Sequence, residues 1–485
     1  MPFNSRRLPS EYSGERTIMP DDSFSSLIAE ALPQLQREFS ALPSGPADGG
    51  WPDDRAVMSG VLAEVSTRMA NNYPYFHPLY AGQMMKPPHP IARAAYAMAM
   101  WINPNNHSLD GGRASSRFEV EAVAEIAAMF GWEKHLGHLT GGGTVANLEA
   151  LWVAGRLHPG KRLVASSQAH YTHSRISGVL GLNFSPIAVD RRGRMDLERL
   201  EDELRKGDVG TVVAALGTTA IGSVDPLDKI VALREKYGFR LHVDAAYGGY
   251  FKLVPGISAD AVRAFAAVDQ ADSIVIDPHK HGLQPYGCGC VIFRDPSVGS
   301  FYRHDSPYTY FSSADLHLGE ITLECSRAGA AAVALWSTQR LLPLIPGGEF
   351  ASGLGRCREA ALRFHERIGR DGRFVTAFPP ELDILVWGAK AGSVAEASRL
   401  AQAIFDEAAK RDLHLALVQL PLSLFAKDAW PDSDSASTVT CLRSVLMKPE
   451  HLAWIDRIWE IFAAAVDSCV QANLEGVSEA AGAAD

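Results

Sequence analysis

The chain has 485 residues, 47% hydrophobic and 21% charged, the balance of a soluble globular protein with room for one large domain and one smaller one. Its formal net charge of −10 is spread along the chain rather than gathered in blocks, which argues against a nucleic-acid or anionic-membrane surface. Six cysteines are few for this length, only Cys288 and Cys290 lie close together, and no apolar run reaches the length of a membrane span, so the cytoplasm is the expected compartment.

Residues 1 to about 22 read as a loose lead-in. Arg6 and Arg7 are not followed by the apolar stretch that an export signal needs. Phe24, Leu27, Ile28, Leu32, Leu35 and Phe39 recur at helical spacing, so the spacing predicts an amphipathic helix that buries its stripe. LPSGPADGGWPDD, from Leu42, reads as a linker. A second helical pattern and the proline-punctuated NNYPYFHPLYAGQMMKPPHP follow, making 1–104 an N-terminal helical segment and linker. Over 105–343 short apolar strands alternate with helices: RLVASS, TVVAALG, FRLHVDAA, SIVIDP and CGCVIF are the strand candidates. In DPLDKIVALREKYG, Asp225 is placed to cap the helix, Pro226 to open it, Ile230, Leu233 and Tyr237 to share a face, and Gly238 to end it. This alternation implies an α/β domain built on a mostly parallel sheet, whose ligands sit beyond the carboxyl ends of the strands. Over 344–485 the pattern loosens into FVTAFP, LDILVWG and TCLRSVLM with two long amphipathic helices, a smaller α+β domain, and the tail LEGVSEAAGAAD reads as frayed.

The chemistry concentrates at strand ends. DSIVIDPHKHG reads as a buried strand, Ser273 to Asp277, closing on a turn that carries Lys280. LHVDAAYGG puts Asp244 at the end of another apolar strand, followed by the small Ala245 and Ala246. LTGGGTVANLEALW gives a glycine turn, Gly141 to Gly143, opening a helix at Thr144, where backbone amides carry the partial positive charge that binds phosphate. A Schiff-base lysine, an acid for a ring nitrogen and a phosphate cradle are what pyridoxal 5'-phosphate requires of a protein. Desolvation at the turn is expected to lower the Lys280 pKa and free its amine. His170, in SSQAHYTH, suits stacking on the cofactor ring, and Thr219, in GTTAIGSVDP, a hydrogen bond to it. The H-x-x-H made with His173 has no matching third ligand, so no metal is expected. Cys288 and Cys290 read as buried core thiols.

HPLY at His77, NPNNH at Asn103, LTGGGTVAN, SSQAH, GTTAIGSVDP, HVDAAYGG, DPHK and CLRSVLMKP at Cys441 together resemble the group II pyridoxal-phosphate-dependent amino-acid decarboxylases, over about Tyr73 to Pro449. That family includes the aromatic amino-acid, tyrosine, glutamate and histidine decarboxylases. The resemblance implies a fold-type I homodimer with its active sites at the subunit interface and a small L-amino acid as substrate. It implies that Lys280 joins the cofactor, Asp244 pairs with its ring nitrogen, and His170 and Ala246 cover the two ring faces. Gly143, Thr144 and His279 fall at the phosphate, and Thr219 and Asp277 beside the cofactor. Arg443 falls in the substrate-carboxylate region, and the stretch with His77, Gln83 and Lys86 lines the substrate site. RHDSPYTYFSS aligns with a mobile loop whose tyrosine returns a proton to the substrate carbon; Tyr310 is the candidate and Tyr308 the alternative.

Two departures bear on substrate. Met85-Lys86 stands where many members carry a small hydroxyl residue, and ECSRAG has Ser326-Arg327 where the aromatic enzymes have Gly-Arg. Tyr73, Tyr75, Phe76 and Tyr80 suit an aromatic side chain and tip the expectation that way, whereas Lys86, facing the pocket, suits aspartate or glutamate. A carbon–carbon lyase, an aldehyde-forming oxidative deaminase and an inactive cofactor-binding scaffold are the rival readings on the same fold.

Overall fold

The computed structural model describes residues 22–43, 54–303, 321–432 and 436–482. Three helices lead in: α1 (Asp22–Glu38), α2 (Arg55–Met69) and α3 (Pro90–Met100). Phe24, Ile28, Leu32 and Leu35 of α1 are half-buried, whereas Leu27 and Phe39 of the expected stripe stay exposed. α2 buries none of its residues, and Val57, Met58, Val61, Leu62, Val65 and Met69 all face outward.

Helix α4 (Arg113–Met129) leads to β1 (Leu136–Thr140), α5 (Gly143–Leu157), β2 (Arg162–Ser166), α6 (Thr172–Leu180), β3 (Phe184–Ile187), α7 (Leu197–Leu204), β4 (Val209–Ala215), α8 (Leu227–Tyr237), β5 (Arg240–Asp244), α9 (Ala259–Ala266), β6 (Ser273–Ile276) and β7 (Gly289–Phe293). These strands form one seven-stranded sheet in the order β1-β7-β6-β5-β4-β2-β3. The run from β6 to β3 is parallel, and β7 is antiparallel to both neighbours. All five proposed strands are present. β1 and β3 were not among them: LGHLT holds a histidine in mid-strand and FSPI a proline, so neither reads as an apolar run.

One capping expectation fails. Pro226 is itself the N-cap of α8, and the Asp225 carboxylate turns inward to accept the amides of Met195 (2.7 Å) and Ala215 (2.8 Å). Burial pushes its pKa up to about 6 against those two hydrogen bonds. Gly238 does end the helix, at φ +71°.

After α10 (Gly329–Leu341) come α11 (Glu349–Arg370), β8 (Phe374–Thr376), β9 (Ile384–Ala389), α12 (Val394–Lys410), β10 (Ala416–Pro421), β11 (Thr438–Val445) and α13 (His451–Gly482). The four strands make an antiparallel sheet, β10-β11-β9-β8. Three long helices accompany it rather than two. α13 also runs to Gly482 through the tail expected to fray, because Ala, Glu and Leu there are strong helix formers.

The two sheets meet at a buried carboxylate. Asp383, just before β9, accepts the Tyr247 hydroxyl at 2.6 Å. Its other oxygen lies 3.2 Å from His281 Nε2, an ion-pair distance without hydrogen-bond alignment. The His281 ring is packed edge-on against Tyr247 and Phe251, with centroids 4.8 and 5.1 Å away.

Candidate active site

β2, β4, β5 and β6 run parallel, so their carboxyl ends open on one side of the sheet. Beyond those ends lies a cleft of about 360 Å³. Gly143, Thr144, His170, Thr219, Asp244, Ala246, Asp277, His279 and Lys280 all line it, brought together from four strand ends and the start of α5. Asn147, Tyr171, Thr218 and Tyr247 line it too, without having been singled out from the sequence.

The cradle is tight. Gly142 is the N-cap of α5, with φ +151° and no side chain to cap the first turn's amides. A Cβ on Gly143 would stand 2.7 Å from Asp277 Oδ2, so the helix approaches the lysine turn only because that residue is glycine. The His279 ring reaches within 3.2 Å of where a Gly142 Cβ would be. Asn147 ties the helix start to the sheet: its amide donates to the Gly143 carbonyl (2.8 Å), and its oxygen meets His242 Nε2 at 2.9 Å. Burial drives the His242 pKa down to about 3, keeping that ring neutral.

Lys280 Nζ sits 3.0 Å from Asp277 Oδ2. Burial alone pulls its pKa down, as expected from sequence. The charge and hydrogen bond of Asp277, aided by Asp244 and Tyr286, more than offset burial, and the net shift is upward. The expectation of a lowered pKa is therefore corrected: the strand that buries this lysine also supplies its counter-ion. Asp277 Oδ1 is buried with no hydrogen-bond partner among the described residues, 3.0 Å from where a Cβ on Gly143 would stand.

Asp244 is held from two sides. Its Oδ1 accepts the Ala246 amide at 3.1 Å, and its Oδ2 lies 2.8 Å from His173 Nε2. Burial favours the neutral acid, but the hydrogen bond and charge of His173, with Lys280 and the Ala246 amide, hold the pKa below the usual carboxylate range. His170 Nδ1 faces the Thr172 hydroxyl (2.6 Å) and accepts the Thr172 amide (3.3 Å), while burial lowers its pKa, so the ring at the cleft is neutral.

A second cleft of about 310 Å³ adjoins the first, sharing His170, Tyr171 and Thr219 and adding Gln83, Arg443, Leu417 and Val418. The buried Arg443 guanidinium donates to Ala220 O (2.9 Å), Thr219 O (2.7 Å), Gly82 O (3.4 Å) and Gln83 Oε1 (3.0 Å). His77 and Lys86 line neither cleft. His77 Nδ1 accepts the Leu79 amide, and its ring packs on Trp454. Lys86 Nζ donates to Met447 O at 3.3 Å, among Cys357, Asp383 and Glu450. Tyr310 and Tyr308 lie outside the described residues. Ser326 and Arg327 take no part in either cleft: Ser326 Oγ accepts from Asn105, and Arg327 pairs with the buried Glu119 at 2.6 Å. A roomier, mostly apolar hollow of about 680 Å³ between α4, α9 and α10 carries none of these groups.

The donor set fits pyridoxal 5'-phosphate: a glycine cradle at a helix start, a carboxylate held charged, a neutral imidazole and a lysine amine on one cleft. The model of the pyridoxal-dependent decarboxylase conserved domain matches residues 73–389. The L-tyrosine decarboxylase of Enterococcus faecium is 30% identical over 443 residues, covering 69% of this chain and 72% of its own. A probable L-tyrosine/L-aspartate decarboxylase of Methanothrix thermoacetophila is 33% identical over 256 residues, 52% of this chain and 63% of its own. The crystal structure of Oryza sativa TDC with PLP and tryptamine superposes with a TM-score of 0.74 at 17% identity, covering 94% of this chain and 99% of that one, a likeness of fold. The chain belongs to the pyridoxal-dependent decarboxylase family, and is an enzyme that removes the carboxyl group of an amino acid with pyridoxal 5'-phosphate as cofactor.

Proposed function

We propose that this decarboxylase acts on an aromatic L-amino acid, with L-tyrosine the first to assay, and that the residues round the two clefts divide the work. When bound, pyridoxal phosphate supplies an imine-forming carbonyl and a ring that takes up the electrons left as the carboxylate departs. Lys280 provides the amine that holds the cofactor and is displaced by substrate. Asp244, charged, keeps the ring nitrogen protonated. His170 covers one ring face and Ala246 the other. The amides of Gly143 and Thr144 hold the phosphate with His279 beside it, and Thr219 and Asp277 set the ring edge. Arg443 and Gln83 face the substrate's carboxylate from the adjoining cleft. Tyr310, with Tyr308 the alternative, returns a proton to the substrate carbon, an assignment resting on sequence alone.

The observation that carries this reading is the meeting of the strand-end residues and Arg443 round two clefts that share His170 and Thr219. The aromatic preference is supported by the named activity of the Enterococcus relative and by the Leu417, Val418 and Tyr171 wall. The acidic alternative loses its sequence support, since Lys86 points to Met447, but the Methanothrix relative's name pairs tyrosine with aspartate. Incubation with each L-amino acid, measuring CO2 and amine together, tests the proposal. Stoichiometric tyramine from L-tyrosine supports it; turnover of L-aspartate alone, or aldehyde in place of amine, overturns it.

We infer further that the chain works as a homodimer with active sites at the subunit interface, a reading supported by the outward apolar face of α2. It divides at about 104 and 343, supported by the seven-stranded sheet lying within 136–293 and the four-stranded one within 374–445. A cytoplasmic location agrees with six unpaired cysteines, four of them buried. Among the described residues no helix is long and apolar enough to cross a membrane.

A further inference from the structure

His170 and His173 look alike in the sequence, three residues apart, yet they face different things. His170 lines the cleft. His173, in the first turn of α6, is 1% exposed and lies against Asp244. We propose that His173 is a positioning residue, whose Nε2–H holds the Asp244 carboxylate charged and aimed at the cofactor's ring nitrogen; this rests on the reading of Asp244 given above.

The geometry is specific. A carboxylate only accepts, so at 2.8 Å from Asp244 Oδ2 the proton sits on His173 Nε2. The other oxygen, Oδ1, takes the Ala246 amide. The carboxylate is thus gripped from α6 and from its own strand end, and rotating it breaks both bonds. His173 Nδ1 is buried with no hydrogen-bond partner among the described residues, an arrangement that packing alone does not favour.

The charged and titratable groups around this pair come from every neighbouring element: His170 before α6, His242 on β5 with its ring 6.5 Å from that of His173, and Asp277 and Lys280 on the turn after β6. Burial is the strongest influence on Asp244 and favours the neutral acid. Without His173, burial is opposed chiefly by Lys280 and one amide. Asp244 then takes up a proton at a higher pH and loses its attraction for a protonated ring.

The test uses full-length holoenzyme and follows release of pyridoxal phosphate by its visible absorbance across pH. Wild-type release is expected to stay flat between about pH 5 and pH 8, whereas His173→Phe releases cofactor faster as pH falls, about tenfold for each unit by which the Asp244 pKa has risen into that window. His173→Gln, which restores an N–H donor, should return the profile toward wild type. A flat profile for His173→Phe overturns the proposal, as does a His173→Gln profile matching that of His173→Phe. If the Phe variant does not fold, His173→Ala is read the same way. Asp244→Asn separates the two readings. If it keeps the cofactor and full turnover, the role given to Asp244 falls; if it loses them while His173→Phe stays flat, only the role of His173 falls.

Discussion

The two adjoining clefts handle buried charge in opposite ways. At the first cleft three ionisable groups each face a counter-charge: Lys280 with Asp277, His173 with Asp244, His281 with Asp383. At the second cleft Arg443, and behind it two lysines that line neither cleft, donate to neutral oxygens. Arg443 donates to three backbone carbonyls and an amide oxygen, Lys448 to Tyr80 O at 2.6 Å, and Lys86 to Met447 O. A carbonyl shell satisfies the Arg443 donors without cancelling its charge, so this cleft keeps a positive potential in a low dielectric. One cleft has charges matched within the fold, and the other holds Arg443 with no carboxylate partner among the described residues.

Substitutions can break this contrast. The largest effect is expected at the paired lysine: Lys280→Ala should abolish both turnover and the imine absorbance of the bound cofactor, measured by spectrum and CO2 release. An active, yellow variant would refute its role. Arg443→Lys keeps a charge but cannot reach Gly82 and Gln83 on one side and Thr219 and Ala220 on the other together, so KM should rise on the order of tenfold or more with cofactor content unchanged. Lys448 reads the unpaired side through pH. Burial, with Lys86 nearby, lowers its pKa to about 7, so the stability it contributes is present above its ordinary pKa near 10.5 and lost as pH falls toward about 7. Denaturant unfolding of Lys448→Met should gain on wild type across that window by on the order of a few kcal/mol, then run parallel below it. The smallest effect is expected at Lys86. Lys86→Met should leave KM for the preferred substrate within about twofold, since the side chain reaches neither cleft; a change approaching a full factor of ten, about 1.4 kcal/mol, would return it to the substrate site.

What the sequence made legible follows from distance along the chain. The Lys280 turn, the Asp244 strand end and the glycine cradle each sit in a local pattern of apolar strand plus sharp turn, and a parallel sheet then requires them to converge. Side-chain direction was not legible. Met85-Lys86 falls in the right stretch, but nothing in its spacing says that Lys86 turns toward Met447. Asp225 has the look of a helix cap and instead serves two amides from other segments. Asp383 gave no signal, because its partner Tyr247 is 136 residues away and its meaning exists only once the two sheets are packed. The Lys280 pKa failed for a related reason: desolvation is local and readable, whereas the balance against Asp277, Asp244 and Tyr286 depends on geometry.

That carboxylate at the joint limits how the molecule can be rebuilt. Tyr247 comes directly after the small pair that follows Asp244, and His281 directly after Lys280, so Asp383 touches the continuation of both of these strand-end segments. A chimera that replaces β8 to β11 with strands lacking an aspartate at this place would keep Lys280 intact and still lose the peg against which that lysine's turn is set. Exchange of the C-terminal sheet therefore has to carry Asp383 with it, or replace Tyr247 and His281 in the same step.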